Sequence, residues 1–441
     1  MIQLSDHFTY GRLFRFTFPS IVMLIFTSIY GVVDGFFVSN FVGKTPFAAV
    51  NLIMPALMIL GCIGFMFGTG GAALISRTMG EGDLKKANEI FSMIVWVSTI
   101  CGIVIGVLGF IFLPQIAGLL GAEGELLKNC VLYGRIILAA QPFYILQFEF
   151  QCLFATAEKP KLGLYVTVAA GMTNMLLDAL FVAVFSWGLA GAAAATALSQ
   201  FVGGVIPLAY FLRKDPGKLR LGRWTFDGKA LLKTCTNGSS EFMSNVSISL
   251  VSMLYNLQLM KYAGENGIAA YGVLMYVSMI FQAVFIGYSV GVAPVVGYHY
   301  GADNRTELHG LLKKSLILIL SCSLVMFAAG ELLAAPLSRL FVGYDTELLE
   351  ITSRAFMFFS FSFLFSGFSI YCSSFFTALS DGLTSALLSF LRTLVFQVAA
   401  VLLLPLIWKL DGIWLSIVVA EALAVIVTIL FLLGKRKRYG Y

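Results

Sequence analysis

Charged residues are scarce in this chain of 441 residues, because only 12% are Asp, Glu, Lys or Arg while 59% are hydrophobic. A soluble domain is about one quarter charged, so the composition excludes a soluble globular protein and indicates a chain that crosses a membrane many times. The net charge of +6 could suggest nucleic-acid binding. Its distribution between the loops is better explained by membrane topology, so we expect no nucleic-acid partner.

Side chains that commonly carry out catalysis are also few. The three histidines do not cluster with other ligands, and the seven cysteines are scattered without a CxxC pair. This pattern predicts neither a disulfide framework nor a zinc site. An integral-membrane enzyme would need a clustered His, Cys or carboxylate centre, so we expect neither an enzyme nor a cofactor.

Long apolar runs are the most abundant feature of the chain. Twelve of them, separated by polar breaks with Gly or Pro, predict an all-α integral membrane protein with twelve transmembrane helices. The runs cover residues 14–38, 47–76, 89–112, 129–156, 162–186, 188–212, 231–261, 268–298, 310–334, 348–379, 383–407 and 411–434.

The positive charges sort by loop. Most lysines and arginines outside the spans fall on one side of the predicted bundle, together with the KRKR sequence at residues 435–438. By the positive-inside rule that side is cytoplasmic. We therefore expect a multi-pass plasma-membrane protein with both termini in the cytoplasm. We also expect the lipid bilayer to surround a monomer.

The two halves of the chain repeat one another. Gly43 and Trp187 match Gly264 and Trp408, in each case 221 residues later. The repeat predicts an N-terminal six-helix lobe at 1–212, a cytoplasmic linker at 213–230 and a C-terminal six-helix lobe at 231–441. Because each lobe has an even number of spans, the repeats are parallel, and two such bundles facing one another leave a central cavity.

Four polar side chains lie inside the predicted spans of the first lobe at matching depth. They are Asp34 in the first helix, Asn174 and Asp178 in the fifth, and Thr196 in the sixth. A carboxylate in a membrane helix is expensive and is by default a functional-site candidate. The four groups could hold a hard cation such as Na⁺ through oxygen ligands, or the two carboxylates could share or exchange protons. The alternative, that they only hydrogen-bond helices together, stays open.

The repeat makes this set one-sided. The positions 221 residues later lack the carboxylates, the amide and the aliphatic hydroxyl. They are Tyr255, Val395, Ala399 and Ile417. A structural need common to both halves would not be so unequal, so we expect the cation site in the N-terminal lobe alone.

Further polar residues could line the cavity and contact a substrate. A stripe on one face of the seventh helix consists of Glu241, Asn245, Ser249, Ser252 and Asn256. A Ser-rich seam between helices is the equal alternative for this stripe. Gln147 and Gln151 share a face of the fourth helix. Arg392 and Glu421 lie deep in the last two helices, and we expect them to form a structural ion pair.

Pro19 lies inside the first apolar run. It removes one backbone hydrogen bond and should kink the helix below Asp34. It is either a hinge whose bend depends on the state of Asp34 or a proline that the helix tolerates without movement.

These features resemble the multidrug and toxic compound extrusion (MATE) family over essentially the whole chain. The resemblance rests on Pro19 and Asp34 as a P-x14-D element, on Asn174 and Asp178 as N-x3-D, and on the small-residue segment from Gly188 to Thr196. It implies a cation site in the N-terminal lobe and a bend in the first helix at the proline.

The function expected from this resemblance is secondary active export of amphipathic, cationic organic compounds such as drugs or toxins. Export would be in exchange for H⁺ or Na⁺, by alternating access. The alternative is a lipid-linked oligosaccharide flippase of the same superfamily. A flippase should have a basic cavity for its pyrophosphate head, whereas the charges that we expect to be buried here are mostly acidic.

Overall fold

The computed structural model describes residues 2–214, 216–343 and 345–441, and the regular structure in these ranges is helical throughout. The first half forms six spans. They are α1 (Tyr10–Phe37, continued by a π-helical segment at Val38–Val42), α2 (Lys44–Gly80), α3 (Leu84–Leu119), α4 (Gly124–Ala139 and Gln141–Thr156), α5 (Pro160–Asp178, continued by a π-helical segment at Ala179–Val184) and α6 (Gly188–Phe211). The two parts of α4 meet at an angle of 58°.

The second half repeats this arrangement. Its spans are α7 (228–263), α8 (265–301), α9 (Arg305–Val342), α10 (Thr346–Ser360 and Phe363–Ala378, bent by 50°), α11 (Gly382–Phe390, a π-helical segment at Leu391–Val395, then 396–408) and α12 (410–439). In the described ranges eight helices are long and apolar enough to span a membrane, and the two bent pairs add two spans. Two of the eight divide at Gly264 and Lys409, which confirms the twelve predicted helices.

Backbone conformation repeats with the same 221-residue spacing as the sequence. The matching residues with positive φ are Gly43 and Gly264, Gly82 and Asp303, and Gly188 and Lys409. A positive φ suits glycine, whereas at Lys409 (φ 50°) a side chain is held in a strained conformation that costs about 1–3 kcal/mol. The sharp turn between α11 and α12 is thus kept in the repeat even where glycine has been lost.

Glycines join the two halves near one end of the bundle. We call this end the terminal face, since it carries the segment 2–9, the linker and the C-terminus, and we call the other end the opposite face. A Cβ added at Gly70 of α2 would lie 2.0 Å from the carbonyl oxygen of Thr234 on α7, and one at Gly238 would lie 1.9 Å from that of Met66. The backbones of α2 and α7 therefore touch, and we call this contact the glycine seam.

The buried apolar cores follow the same division. Toward the terminal face, one core combines residues of both halves, such as Ile75 and Val295. Toward the opposite face there are two separate cores, one around Tyr133 in the first half and one around Trp414 in the second. The halves are therefore joined at the terminal face and diverge beyond it, leaving a cleft that opens to the opposite face.

Pro19 is buried within α1, which continues as one helix from Tyr10 to Phe37. The hydroxyl of Thr17 donates to the carbonyl oxygens of Leu13 and Phe14, at 3.0 and 3.3 Å. The helix is thus not broken at the proline, and the hinge stays a prediction.

Candidate cation site

Three helices of the first half bring the four predicted cation ligands together. The Nδ2 of Asn174 on α5 donates to the Oγ1 of Thr196 on α6 at 3.4 Å. That hydroxyl in turn donates to Oδ1 of Asp34 on α1 at 3.5 Å. Asp178 lies one turn after Asn174 on the same face of α5 and beside Asp34. Residues far apart in the sequence thus form one group near the opposite face.

The four side chains of this group are wholly or partly buried. Asp178 and Asn174 are fully buried, at 0% and 1% exposure, while Asp34 and Thr196 are half-buried. Within the described residues, neither carboxylate oxygen of Asp178 has a hydrogen-bond donor, and neither does Oδ1 of Asn174. Buried acceptors without a donor are costly. A set of such oxygens around two acids is therefore suited to a bound proton or a small hard cation.

The donor set can be tested against a metal. Among the residues that the structure describes, no group of three His, Cys, Asp or Glu side chains is arranged to hold a metal ion. A transition-metal centre therefore has no support here. Two carboxylates, one amide oxygen and one hydroxyl do fit Na⁺, which is bound by oxygen, and they also fit a carboxylate pair that carries a proton.

Both acids lie beside π-helical turns. Val38–Val42 begins one turn after Asp34, and Ala179–Val184 begins directly after Asp178. A π turn inserts one extra residue and changes the face on which the following side chains lie, and such turns occur frequently at functional sites. None of the sequence patterns described above predicts these segments.

Two tyrosines near the acids were not among the predicted site residues. Tyr133 on α4 is fully buried and lies within electrostatic reach of both Asp34 and Asp178. Tyr30 lies on α1 one turn before Asp34 and near Gln147. The i, i+4 spacing could have pointed to Tyr30, whereas Tyr133 comes from a helix with no polar pattern that leads to this site.

For the predicted stripe on α7, contact with a substrate stays a prediction. Glu241, Asn245 and Ser249 are half-buried. Asn245 donates to the carbonyl oxygen of Glu241 at 2.8 Å, and Ser249 to that of Asn245 at 3.3 Å, so both side chains bond to their own helix. This is a different arrangement from a hydrogen-bonded seam between helices. Asn256, farther along, has a buried Oδ1 without a donor in the described part of the chain.

The two glutamines of α4 lie inside the first half. Gln147 and Gln151 are only 5% and 4% exposed. Gln147 packs against α6, where a Cβ added at Gly203 would lie 2.7 Å from its Cδ. Between them, Glu149 is fully buried and accepts a hydrogen bond from Ser98. Both glutamines are thus buried in this structure, and their contact with a substrate stays a prediction.

Two segments of the chain match one protein-family model, MatE, at residues 19–180 and again at residues 242–403. The chain belongs to the MATE family. The double match reflects the internal repeat, and the first matched segment contains Pro19, Asp34, Asn174 and Asp178.

Individual relatives of this MATE family chain agree in length and fold. The "Multidrug export protein MepA" of Staphylococcus saprophyticus subsp. saprophyticus is 25% identical over 431 residues, covering 96% of this chain and 93% of that protein. A structure described as the outward-facing conformation of a multidrug resistance MATE family transporter superimposes with a TM-score of 0.93 at 22% identity, covering 98% and 97% of the two chains. A MATE structure in complex with MaL6 gives the same TM-score and identity, covering 98% of each chain. Members of this family are transporters, so the chain is a membrane transporter and not an enzyme.

Proposed function

We propose that this protein is a secondary active transporter that exports amphipathic, cationic organic compounds in exchange for H⁺ or Na⁺. The observation that carries the proposal is the group formed by Asp34, Asn174, Asp178 and Thr196 in the first half, where buried oxygens of Asn174 and Asp178 lack donors among the described residues. The names of the relatives support multidrug export as the activity. The protein needs no cofactor, and its small-molecule substrates enter from the cleft or the bilayer.

The coupling step follows from desolvation. A proton or Na⁺ at Asp34 and Asp178 neutralises part of their charge, which lowers the free energy needed to enclose the two acids in an apolar lobe. Enclosure changes the packing around α1, and Pro19 allows that helix to bend because it lacks one backbone hydrogen bond. The bound ion therefore favours one of two arrangements of the lobe, which is what a coupled carrier requires.

The moving units and their orientation belong to the same proposal. Residues 1–212 and 231–441 act as the two lobes, and residues 213–230 link them. The terminal face is cytoplasmic, because it carries most of the basic residues of the loops. The cleft between the halves then opens to the extracellular side of the plasma membrane. The protein acts as a monomer.

The coupling role can be tested in everted membrane vesicles with an imposed proton or sodium gradient and a fluorescent organic cation as substrate. We expect Asp34→Asn to lose most gradient-driven transport, because the amide cannot be neutralised by the ion. Asp411→Asn is a matched control, since Asp411 lies in the second half and forms a surface pair with Arg354 at 2.6 Å. If Asp34→Asn transports as well as the parent, the proposed coupling site is wrong.

The same vesicles separate the two coupling ions. A carrier driven by protons responds to the pH gradient in the absence of sodium, and a carrier driven by Na⁺ does not. The oxygen ligands at Asp34 and Asp178 fit either ion, so the transport measurement decides between them.

A further inference from the structure

A second group of charged side chains lies in the other half of the molecule. Glu241 is on α7, Arg392 on α11 and Glu421 on α12. In the repeat these three helices correspond to α1, α5 and α6, which carry the proposed cation site. The second half thus has charges on the same three helices, but at different positions along them.

Arg392 and Glu421 form an ion pair inside the second half, as the sequence predicts. The Nε of Arg392 donates to both carboxylate oxygens of Glu421, at 3.0 and 2.9 Å. The two side chains are 16% and 5% exposed. The pair uses only Nε. The two Nη groups of Arg392 make no hydrogen bond to any described residue, and neither is sealed from the surface.

Glu241 is the third member and is not paired. It lies within electrostatic reach of Arg392 but forms no ion pair with the described residues. It follows Gly238, where the glycine seam ends, by about one helical turn. It also lies near Cys62 of α2 in the first half. Glu241 is therefore placed between the halves, at the closed end of the cleft.

The backbone beside Arg392 is unusual as well. The described ranges contain three π-helical segments, two of which follow Asp34 and Asp178, while the third, Leu391–Val395, contains Arg392. All three π-helical segments of the described ranges therefore lie beside a charged side chain. A structural ion pair alone does not require this, and the coincidence indicates that Arg392 has a functional position.

We propose that Glu241, Arg392 and Glu421 form a charge filter that binds substrates carrying a single positive charge. Arg392 neutralises Glu421, so the three groups together carry one net negative charge, which Glu241 presents to the cleft. A monocation neutralises this charge, whereas the second charge of a dication meets the free Nη groups of Arg392. The proposal rests on the proposed function, because it assumes that organic cations are the substrates.

The effect of Arg392 on selectivity follows from Coulomb's law. Removing one unit charge several ångströms from a bound cation, at the effective dielectric constant of a protein interior, changes the affinity by more than about tenfold. The change is larger for a dication, since the interaction scales with the ligand charge. Arg392 therefore acts as a specificity residue and not as a general stabiliser of binding.

Ethidium and propidium test the filter, because they share one ring system and carry one and two positive charges. Binding of each is measured by fluorescence anisotropy on purified protein without a gradient. We expect wild type to bind ethidium more tightly. In Arg392→Gln, the affinity for propidium relative to ethidium should rise by about tenfold or more.

The double variant Arg392→Gln with Glu421→Gln keeps one net negative charge but lacks the Nη groups, so its ratio should fall between the values of wild type and of Arg392→Gln. Glu421→Gln alone leaves no net charge and should weaken both probes, propidium more. Arg354→Gln, at the surface pair with Asp411, is the matched control and should leave the ratio unchanged. If Arg392→Gln fails to fold, Glu421→Gln and the double variant still give the ratio.

The proposal is overturned if wild type binds neither probe, if Arg392→Gln leaves the ratio unchanged, or if every variant weakens both probes equally. The last result would mean that the ion pair of Arg392 and Glu421 has only a structural role. The binding measurement uses no ion gradient, so it does not depend on whether Asp34 is the coupling acid. The charge filter and the coupling site can therefore be refuted independently.

Discussion

Asp34 and Tyr255 occupy equivalent positions in the two halves and have different surroundings. The hydroxyl of Tyr255 donates to Oε1 of Gln397 at 2.7 Å. Its ring stacks on Tyr271, with the ring centroids 5.3 Å apart. In the second half, the position equivalent to Asp34 is thus occupied by a neutral side chain whose hydroxyl has a hydrogen-bond partner. The sequence could predict which half carries the acids, because an intramembrane carboxylate stands out, but it could not predict the partner of Tyr255.

Asp381 provides a prediction about pH at the terminal face. It accepts hydrogen bonds from Nζ of Lys435 at 2.6 Å and from the hydroxyl of Tyr439 at 2.8 Å. Burial alone would raise the pKa of the Asp381 carboxyl, but these donors hold the pKa below its usual value. A depressed pKa in the folded state means that the carboxylate stabilises the fold above the unfolded pKa, about 3.9, and that this contribution is lost as the pH falls further.

We therefore expect Asp381→Asn to lower the stability by about 1–2 kcal/mol at pH 7. The difference from wild type should shrink as the pH falls below about 4. Thermal unfolding in detergent, followed by tryptophan fluorescence, measures both effects. Asp303→Asn is the control, because Asp303 is 78% exposed in its pair with Arg305 and should have little effect. A difference that stays constant down to pH 3 would contradict the ionic contribution.

At the scale of helices, the twelve spans could be predicted because each is a long apolar run, and length alone decides whether a run can cross a bilayer. The packing partners could not be predicted. The glycine-rich part of α2 indicates close helix contact, yet neighbouring glycines meet different helices. A Cβ at Gly64 would clash with Ile145 of α4, whereas one at Gly70 would clash with Thr234 of α7. The glycine pattern therefore predicts that α2 packs closely against another helix, but the identity of that helix is known only from the structure.

The glycine seam predicts a shift between conformations. In Gly70→Ala the new Cβ would lie 2.0 Å from the carbonyl oxygen of Thr234, so α2 and α7 must separate, and this conformation is destabilised by about 1–3 kcal/mol. Gly272→Ala on α8 is the matched control, since no atom lies within 4 Å of its added Cβ. Spin labels at exposed Lys85 and Thr306 report the separation at the terminal face. We expect a longer distance population in Gly70→Ala only, and identical distributions in both variants would refute the role of the seam.

At the scale of the whole molecule, the two halves are in contact mainly at one end, the terminal face. The repeat and the positive charges of the loops predicted two six-helix units with both termini on the same side. They could not predict which end of the cleft is closed, because the difference between two carrier conformations lies in contacts between the halves and not in the helices. Here the closed end is the terminal face, where the glycine seam and the joint core lie.

Residues 2–9 add a strap across this face. The backbone N–H of Leu4 donates to Glu158 of the first half at 2.8 Å. The backbone N–H of Phe8 donates to Glu307 of α9 at 2.9 Å, and Nζ of Lys314 donates to the carbonyl oxygen of Phe8 at 2.5 Å. The side chains of Leu4 and Phe8 are fully buried. The strap therefore ties the two halves together in the conformation whose cleft opens to the opposite face.

Opening the terminal face requires the strap to release one half, and Glu307 is its main anchor on the second. We expect Glu307→Ala to weaken the attachment by about 1.5–3 kcal/mol, the range for hydrogen bonds to a charged group, so that the amide of Phe8 exchanges with deuterium at least about tenfold faster. Glu347→Ala is the matched control, because Glu347 is likewise an acid in the first turn of a helix, α10. Both variants lose the same favourable interaction with a helix N-terminus. Faster exchange at Phe8 in Glu307→Ala alone would show that the strap is attached through Glu307, and that the effect is not a general loss of helix stability. Equal exchange at Phe8 in both variants would contradict a role of the strap in closing the terminal face.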